Sequence, residues 1–281
     1  MKINQNAVYV GALLGTAIGI PLAMLAPGHA SAAKKAPFWG RNFAHRGLHS
    51  PDRSVPENSM DAFRRAVEAG YGIELDVQLS RDGCVMVFHD ETLSRVCGVN
   101  RRLDELSYGE LGKLRLCGTW QGIPLLSEVL ELVAGRVPLI VELKSGRNNR
   151  ELCRKVSALL RDYKGAACVE SFDPVIVTWF RFFAPRLLRG QLSTTRRLYR
   201  RGGSSSASAF ALSHVLFNCL SRPQFLACKI GKRAFTVRIA EAMGAMRVGW
   251  TAHDPTAEQG RDAVIFEFYR PRPRFKSGYP E

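Results

Sequence analysis

Ile73-Glu74-Leu75-Asp76-Val77 sets two carboxylates two residues apart inside an apolar, strand-like run. In a β-strand, residues i and i+2 share a face, so Glu74 and Asp76 point the same way. Two acids side by side on a buried strand repel each other and lose hydration unless a cation or a proton compensates. Working outward, further ionisable residues end other strand-like runs: His45 and Arg46, His89, and Glu142 with Lys144. Strand signals fall at 42–46, 73–79, 137–143, 167–172, 188–193, 224–228, 246–251 and 263–268, with helix-like stretches near 58–70, 149–163, 175–184, 207–219 and 232–243. Eight strands separated mostly by helices predict a parallel sheet closed into an α/β (β/α)8 TIM barrel. Asp82-Gly83 followed by Val85–His89 reads as a small hairpin inserted after the second strand. The stretch 196–208, rich in Arg, Gly and Ser, reads as an exposed loop.

A chain of 281 residues with 46% hydrophobic composition is long enough for one such barrel. Its net charge of +15 is uneven, because residues from 181 onward hold 18 Lys/Arg against 6 Asp/Glu. A basic half suggests an anionic partner, whether phosphate, a phospholipid surface or nucleic acid, with solubility alone as the plainer reading. Tyr199 is the only aromatic among Arg196, Arg197, Arg200 and Arg201, which gives little support for stacking on nucleic acid. Seven cysteines without C-x-x-C spacing make neither a disulfide framework nor a thiolate metal site, and point to a reducing compartment.

Residues 3–33 carry no Asp, Glu, Lys or Arg, and 7–26 is apolar apart from Thr16. That length approaches the ~20 residues a membrane-spanning helix needs. The expected organisation is therefore a transmembrane anchor or signal segment over 1–33, a linker over 34–40 and the barrel over 41–281. Lys34, Lys35, Arg41, Arg46 and Arg53 follow the apolar stretch, which places the barrel of an anchored chain in the cytoplasm. Ala30-Ser31-Ala32 also fits a cleavage site, making secretion the alternative.

In barrel order, Ala44-His-Arg-Gly47, Pro56-Glu-Asn-Ser59, Glu74-Leu-Asp76, Asp82-Gly83, His89-Asp90 and Glu142-Leu-Lys144 together resemble the glycerophosphodiester phosphodiesterase family. Ser171-Phe172, Arg222-Pro223, Trp250-Thr251 and Ile265-Phe-Glu267 continue the likeness to about residue 270. Each piece is weak alone and the ordered set is specific. The resemblance, to the bacterial membrane-anchored type, implies hydrolysis of glycerophosphodiesters to glycerol 3-phosphate and an alcohol, with a divalent cation, Mg2+ or Ca2+. It implies Glu74, Asp76 and Glu142 as metal ligands, His45 and His89 as the acid–base pair, and Arg46 and Lys144 beside the phosphate. Glu57 and Asn58 would support the site, and Trp250 would line the pocket. It further implies that His45 deprotonates the glycerol 2-hydroxyl while His89 protonates the leaving alcohol, the alternatives being exchanged roles or a nucleophilic histidine.

These residue types suit that chemistry. Hard oxygen ligands favour Mg2+ or Ca2+ over zinc. Arginine offers a planar fork to phosphate, and histidine, with an unperturbed pKa of about 6.5, moves protons near neutral pH. Taken singly each residue has a plainer reading: Glu74/Asp76 as an ionic edge, Glu142/Lys144 as a salt bridge, Asn58 as a helix cap. His49, His214 and His253 match no motif and read as structural. Two alternative functions accompany the first. One is a lysophospholipase D-like activity with the same residues, and the other a non-catalytic, membrane-tethered protein that binds lipid or phosphate.

Overall fold

The structure is a computed structural model, and it describes residues 22–279. Among these, nine strands form: β1 (Arg41–Ala44), β2 (Gly72–Leu79), β3 (Val85–Val87), β4 (Leu139–Leu143), β5 (Ala167–Ser171), β6 (Leu188–Ser193), β7 (Phe225–Lys229), β8 (Met246–Ala252) and β9 (Ala263–Phe266). Eight pair in parallel, and β1 closes the ring by pairing with both β2 and β9. The ninth, β3, runs antiparallel on β2 as the expected hairpin. The barrel read from the sequence is thus the barrel observed.

Alternation along the strands builds two cores. Phe43, Ile140, Cys168, Phe225, Met246 and Ile265 fill the barrel interior. Their neighbours face outward, where Leu75, Val77, Val141 and Val169 pack with Phe63, Leu126, Leu152 and Ile176 of the surrounding helices. Gly190 belongs to the interior because a Cβ there would lie 2.0 Å from the Phe225 ring. Phe38 stacks on Phe43 with centroids 6.1 Å apart and closes the end of the barrel where β1 begins. Residues 85–125 add a separate annex core of Met86, Phe88, Leu93, Val96, Leu103, Leu111 and Ile123. Within β3, Val85 and Val87 face the main core while Met86 faces the annex.

Helices Met60–Glu68, Asn149–Asp162, Pro174–Phe183, Ser206–Ser213 and Phe235–Ala242 occupy the expected stretches. Local caps start three of them: the Ser59 hydroxyl accepts from Ala62 N–H, the Asp173 carboxylate from Val175 N–H, and the Ser205 hydroxyl from Ser208 N–H. The helix Leu126–Val133 was not anticipated. The helix Arg196–Arg201 replaces part of the loop expected there. Thr195 caps it by accepting from Leu198 N–H, and Tyr199 buries its ring beneath the arginines, an anchor that Arg-rich composition conceals.

The membrane anchor, and the membrane-associated location read from it, require correction. No helix among the described residues is long and apolar enough to cross a membrane. Residues 1–21, which carry most of the apolar stretch, lie outside the described residues. The end of the stretch packs on the barrel instead. Leu25 is buried with Val215, Leu226 and Val237. Asn218 Nδ2 donates to Leu25 O at 3.2 Å, and Arg222 donates to Ala26 O at 2.8 Å. The segment expected as a linker likewise makes tertiary contacts, with Lys35 Nζ donating to Gly244 O at 3.0 Å.

Candidate active site

Above the apolar filling, the inward-facing residues become ionisable at the C-terminal strand ends, where this fold carries its chemistry. Register aligns them: Asp76 of β2 stands beside Glu142 of β4, and Glu142 beside Glu170 of β5. Glu74, one inward position below Asp76, completes a trio with Asp76 and Glu142 whose ligand atoms lie within 4.8 Å of one another, all three residues buried.

Two cations hold this acidic layer. Lys144 Nζ stands 2.7 Å from Glu142 Oε1 and 3.2 Å from Asp76 Oδ1. Arg46 donates through its backbone N–H to Glu74 Oε2 at 3.0 Å, while its guanidinium lies 3.4 Å from Asp76 Oδ2. Both Arg46 and Asn58 adopt left-handed backbone, with φ of 53° and 54°. The conformation is uncommon for a branchless non-glycine residue and costs about 1 kcal/mol or more, offset here by the contacts it makes possible. Asn58 N–H donates to Arg46 O at 2.9 Å, and Asn58 Nδ2 donates to Asp76 Oδ2 at 2.9 Å. The local turn therefore delivers both side chains to one carboxylate.

Charge follows from this geometry. Burial, then repulsion by Asp76 and Glu142, pushes the Glu74 carboxyl well above its ordinary range. Burial also raises Glu142, against the pull of Lys144. For Asp76, burial is outweighed by Lys144, His89 and Arg46 and by the Asn58 hydrogen bond, so it stays ionised. Burial would lower Lys144, but Asp76 and Glu142 hold it charged.

Each predicted catalytic histidine leans on its own carboxylate. His45 Nδ1 lies 3.3 Å from Glu267 Oε1, with its Nε2 4.0 Å from Glu74 Oε2. Burial lowers the His45 pKa despite Glu267, so its ring is neutral at neutral pH. His89 Nδ1 lies 2.6 Å from Asp90 Oδ1. Asp90 and Glu57 are joined through Arg95, which donates to Asp90 Oδ2 at 2.6 Å and to Glu57 Oε1 at 2.7 Å. Glu57 in turn accepts from Arg46 at 2.7 Å, so one carboxylate ties the annex to the metal-side arginine.

Although burial opposes it, hydrogen bonding by Arg95 and the charges of Arg46 and Arg95 lower Glu57 to about 2. A depressed carboxylate stabilises the fold above its unfolded value, near 4.5, and that contribution fades as pH falls toward 2. Glu57→Gln is therefore expected to cost about 2–3 kcal/mol at neutral pH, less the screening at Arg95, and progressively less in acid. Urea denaturation across the acid range checks this; a difference independent of pH rules the network out as the cause.

His89, Glu142, Lys144, Gln78, Arg147 and Phe172 line a cleft of about 540 Å3. Trp250 stands on its far side, edge-on to Phe172 at 5.6 Å and tied by Nε1 to Ala227 O at 2.9 Å. It makes no polar contact with the carboxylate layer. Nine of the ten predicted site residues thus converge, and Trp250 stands apart.

Sequence reading assigned no role to four residues of the site, Glu170, Arg95, Asp90 and Glu267. Glu170 is buried beside Glu142 with Oε2 unpartnered. Burial, then Glu142 and Asp76, raises its pKa well above the ordinary range. The period-two spacing of Cys168 and Glu170 was its available signal. Arg95 lies outside every motif, while Asp90 and Glu267 stand inside motifs of the resemblance and orient the two histidines. His49, read as structural, meets Glu267 Oε1 at 3.1 Å.

An all-oxygen trio of buried acids with more negative charge than two cations balance fits a hard divalent ion. Asp76 Oδ1, close to Lys144 yet without a well-formed hydrogen bond, is an available ligand atom.

Comparison with known proteins agrees. Over 143 residues the chain is 38% identical to the human lysophospholipase D GDPD1, covering 46% of this chain and 44% of that protein. Over 113 residues it is 41% identical to a glycerophosphodiester phosphodiesterase of Caldanaerobacter subterraneus, covering 37% of this chain and 44% of that one. The matches thus span less than half the length of these curated relatives. Among solved structures, the Thermotoga maritima glycerophosphodiester phosphodiesterase superposes with a TM-score of 0.62 at 26% identity, over 80% of this chain and 93% of that one. An Oleispira antarctica phosphodiesterase, solved with the product sn-glycerol-3-phosphate, shares the fold with a TM-score of 0.66 at 22% identity, over 81% of this chain and 93% of that one. The sequence matches the glycerophosphoryl diester phosphodiesterase family across residues 45–268. With the fold and most of its length in agreement, the chain belongs to the glycerophosphoryl diester phosphodiesterase family.

Proposed function

We propose that this protein hydrolyses glycerophosphodiesters to glycerol 3-phosphate and an alcohol, with Glu74, Asp76 and Glu142 holding a divalent cation. The observation that carries the reading is the buried three-carboxylate layer flanked by two carboxylate-oriented histidines. Bound there, Mg2+ or Ca2+ would make phosphorus more electrophilic and the glycerol hydroxyl more acidic. Arg46 and Lys144 neutralise charge that builds on the phosphoryl oxygens.

His45, neutral and with Glu267 beside Nδ1, uses Nε2 to take the proton of the glycerol 2-hydroxyl. That oxygen attacks phosphorus in line, and the bond to the leaving alcohol breaks as His89 gives it a proton. The cyclic glycerol phosphate so formed is opened by water, with His89 as base and His45 returning its proton to the 2-oxygen. Glu267 and Asp90 keep each imidazole in a single orientation, as the acid of a catalytic triad does. Phe172 supplies an apolar face in the cleft for the alcohol, with Trp250 packed against it.

A second substrate class, lysophospholipids, is favoured by the likeness to the human lysophospholipase D. The full chain assayed on glycerophosphocholine and lysophosphatidylcholine separates the two. Release of glycerol 3-phosphate from the first, supported by Mg2+ or Ca2+ and stopped by chelator, is the expected result. Lysophosphatidate from the second alone would transfer the activity to lysolipids, and no product from either would overturn the reading.

A further inference from the structure

Where β1 meets β9, three side chains gather around one carboxylate oxygen. Glu267 Oε1 lies 3.3 Å from His45 Nδ1 and 3.1 Å from His49 Nε2. The three ligand atoms sit within 4.8 Å of one another. Two imidazole nitrogens and one carboxylate oxygen form a borderline donor set, unlike the all-oxygen trio nearby. Ligands held tetrahedrally at about 2.0–2.1 Å from zinc stand about 3.3 Å apart, close to the separations found here.

The donors are held in place. The His49 ring packs edge-on against Phe268 with centroids 5.1 Å apart. Phe268, next after Glu267, has a left-handed φ of 64°, and its half-exposed ring also stacks on His253. His45 and Glu267 each retain 17% side-chain exposure, which leaves access for an ion and for water as a fourth ligand.

We propose that His45, His49 and Glu267 form a second metal site, suited to Zn2+, whose occupation switches hydrolysis off. In the active arrangement the His45 proton sits on Nδ1, facing Glu267, and Nε2 keeps its lone pair. Zn2+ on Nδ1 uses the lone pair there, so the ring's single proton moves to Nε2. The imidazole stays neutral and nothing is oxidised or reduced. An Nε2 that already carries hydrogen cannot accept the proton of a glycerol hydroxyl, and turnover stops. His49 contributes a ligand without touching the Glu74, Asp76 and Glu142 layer. The regulatory consequence rests on the hydrolytic reading above; the binding site itself does not.

Calorimetric titration of the full chain with Zn2+, in excess Mg2+ to occupy the carboxylate layer, tests the site. His49→Ala is expected to weaken Zn2+ binding at least about tenfold. It should turn over at the wild-type rate without Zn2+ and resist inhibition with it. Nitrogen NMR of labelled histidine should show the His45 proton move from Nδ1 to Nε2 in wild type when Zn2+ is added. Should alanine unfold the chain, His49→Gln, which keeps an N–H for Glu267, serves in its place. Undiminished Zn2+ affinity in the variant overturns the site, and inhibition that survives in it places the ion on the carboxylates instead. If wild type hydrolyses nothing, the functional reading fails while calorimetry still decides the site.

Discussion

Asp76→Asn is expected to lower turnover about a thousandfold or more and to abolish saturable binding of Mg2+ or Ca2+, with the barrel intact. Asp76 is the acid at which the site converges, touched by Lys144, Arg46 and Asn58. It is also the one member of the trio whose surroundings lower its pKa, whereas burial raises the other two. Neutralising it removes the charge that makes the cation site while leaving Lys144 on Glu142 and Arg46 on Glu57. A bound cation contributes several kcal/mol of transition-state stabilisation, which converts to the stated factor. Steady-state kinetics beside calorimetry would check it. Turnover within tenfold of wild type, with the variant folded, would sink the assignment.

His89→Ala is expected to lower kcat by about 10²–10⁴ while leaving cation binding unchanged. Its signature is selectivity for the leaving group. An alkoxide must be protonated as it departs, but a nitrophenolate is stable without a proton. The His89 variant should therefore release nitrophenolate from a glycerophosphodiester of nitrophenol at close to the wild-type rate in the first turnover and leave cyclic glycerol phosphate unopened, whereas His45→Ala should fail on both substrates. Equal losses on the two substrates would show that His89 does not protonate the leaving oxygen. Its contact with Asp90, and through Arg95 with Glu57, would then serve only to brace the annex.

The parts of this site that were legible are those carried by local pattern. Glu74 and Asp76 announce themselves because period-two spacing puts two charges on one face of an apolar strand. Glu142 and Lys144 repeat that spacing at another strand end, and Asp82-Gly83 marks a hairpin by turn chemistry. Glu170 escaped because a single acid in a strand has no partner in its own neighbourhood. Only the register of β5 on β4 brings it beside Glu142. Glu267 and His49 are more than 200 positions apart in the chain, and ring closure alone makes them neighbours. The Arg196–Arg201 helix was hidden by composition, since its cap and its buried tyrosine are single residues among arginines. The N-terminal stretch misled for a related reason. Its apolar character is compatible with lipid, yet Leu25 and Ala26 find their partners on the barrel.

The annex core has a consequence for how such a protein diversifies. Leu93, Leu103 and Leu116 pack among themselves, and residues 85–125 meet the barrel along the alternating face of β3. His89 rides on that annex, whereas the carboxylate layer belongs to the ring of parallel strands. The acid that protonates the departing alcohol thus draws its orienting partners, Asp90 and Arg95, from a scaffold of its own, while Gln78 of β2 fastens its backbone to the ring. Insertions or replacements there can alter which alcohol is accommodated without repacking the strands that keep the phosphoryl-activating half constant. Substrate range and catalytic competence can evolve as separable traits.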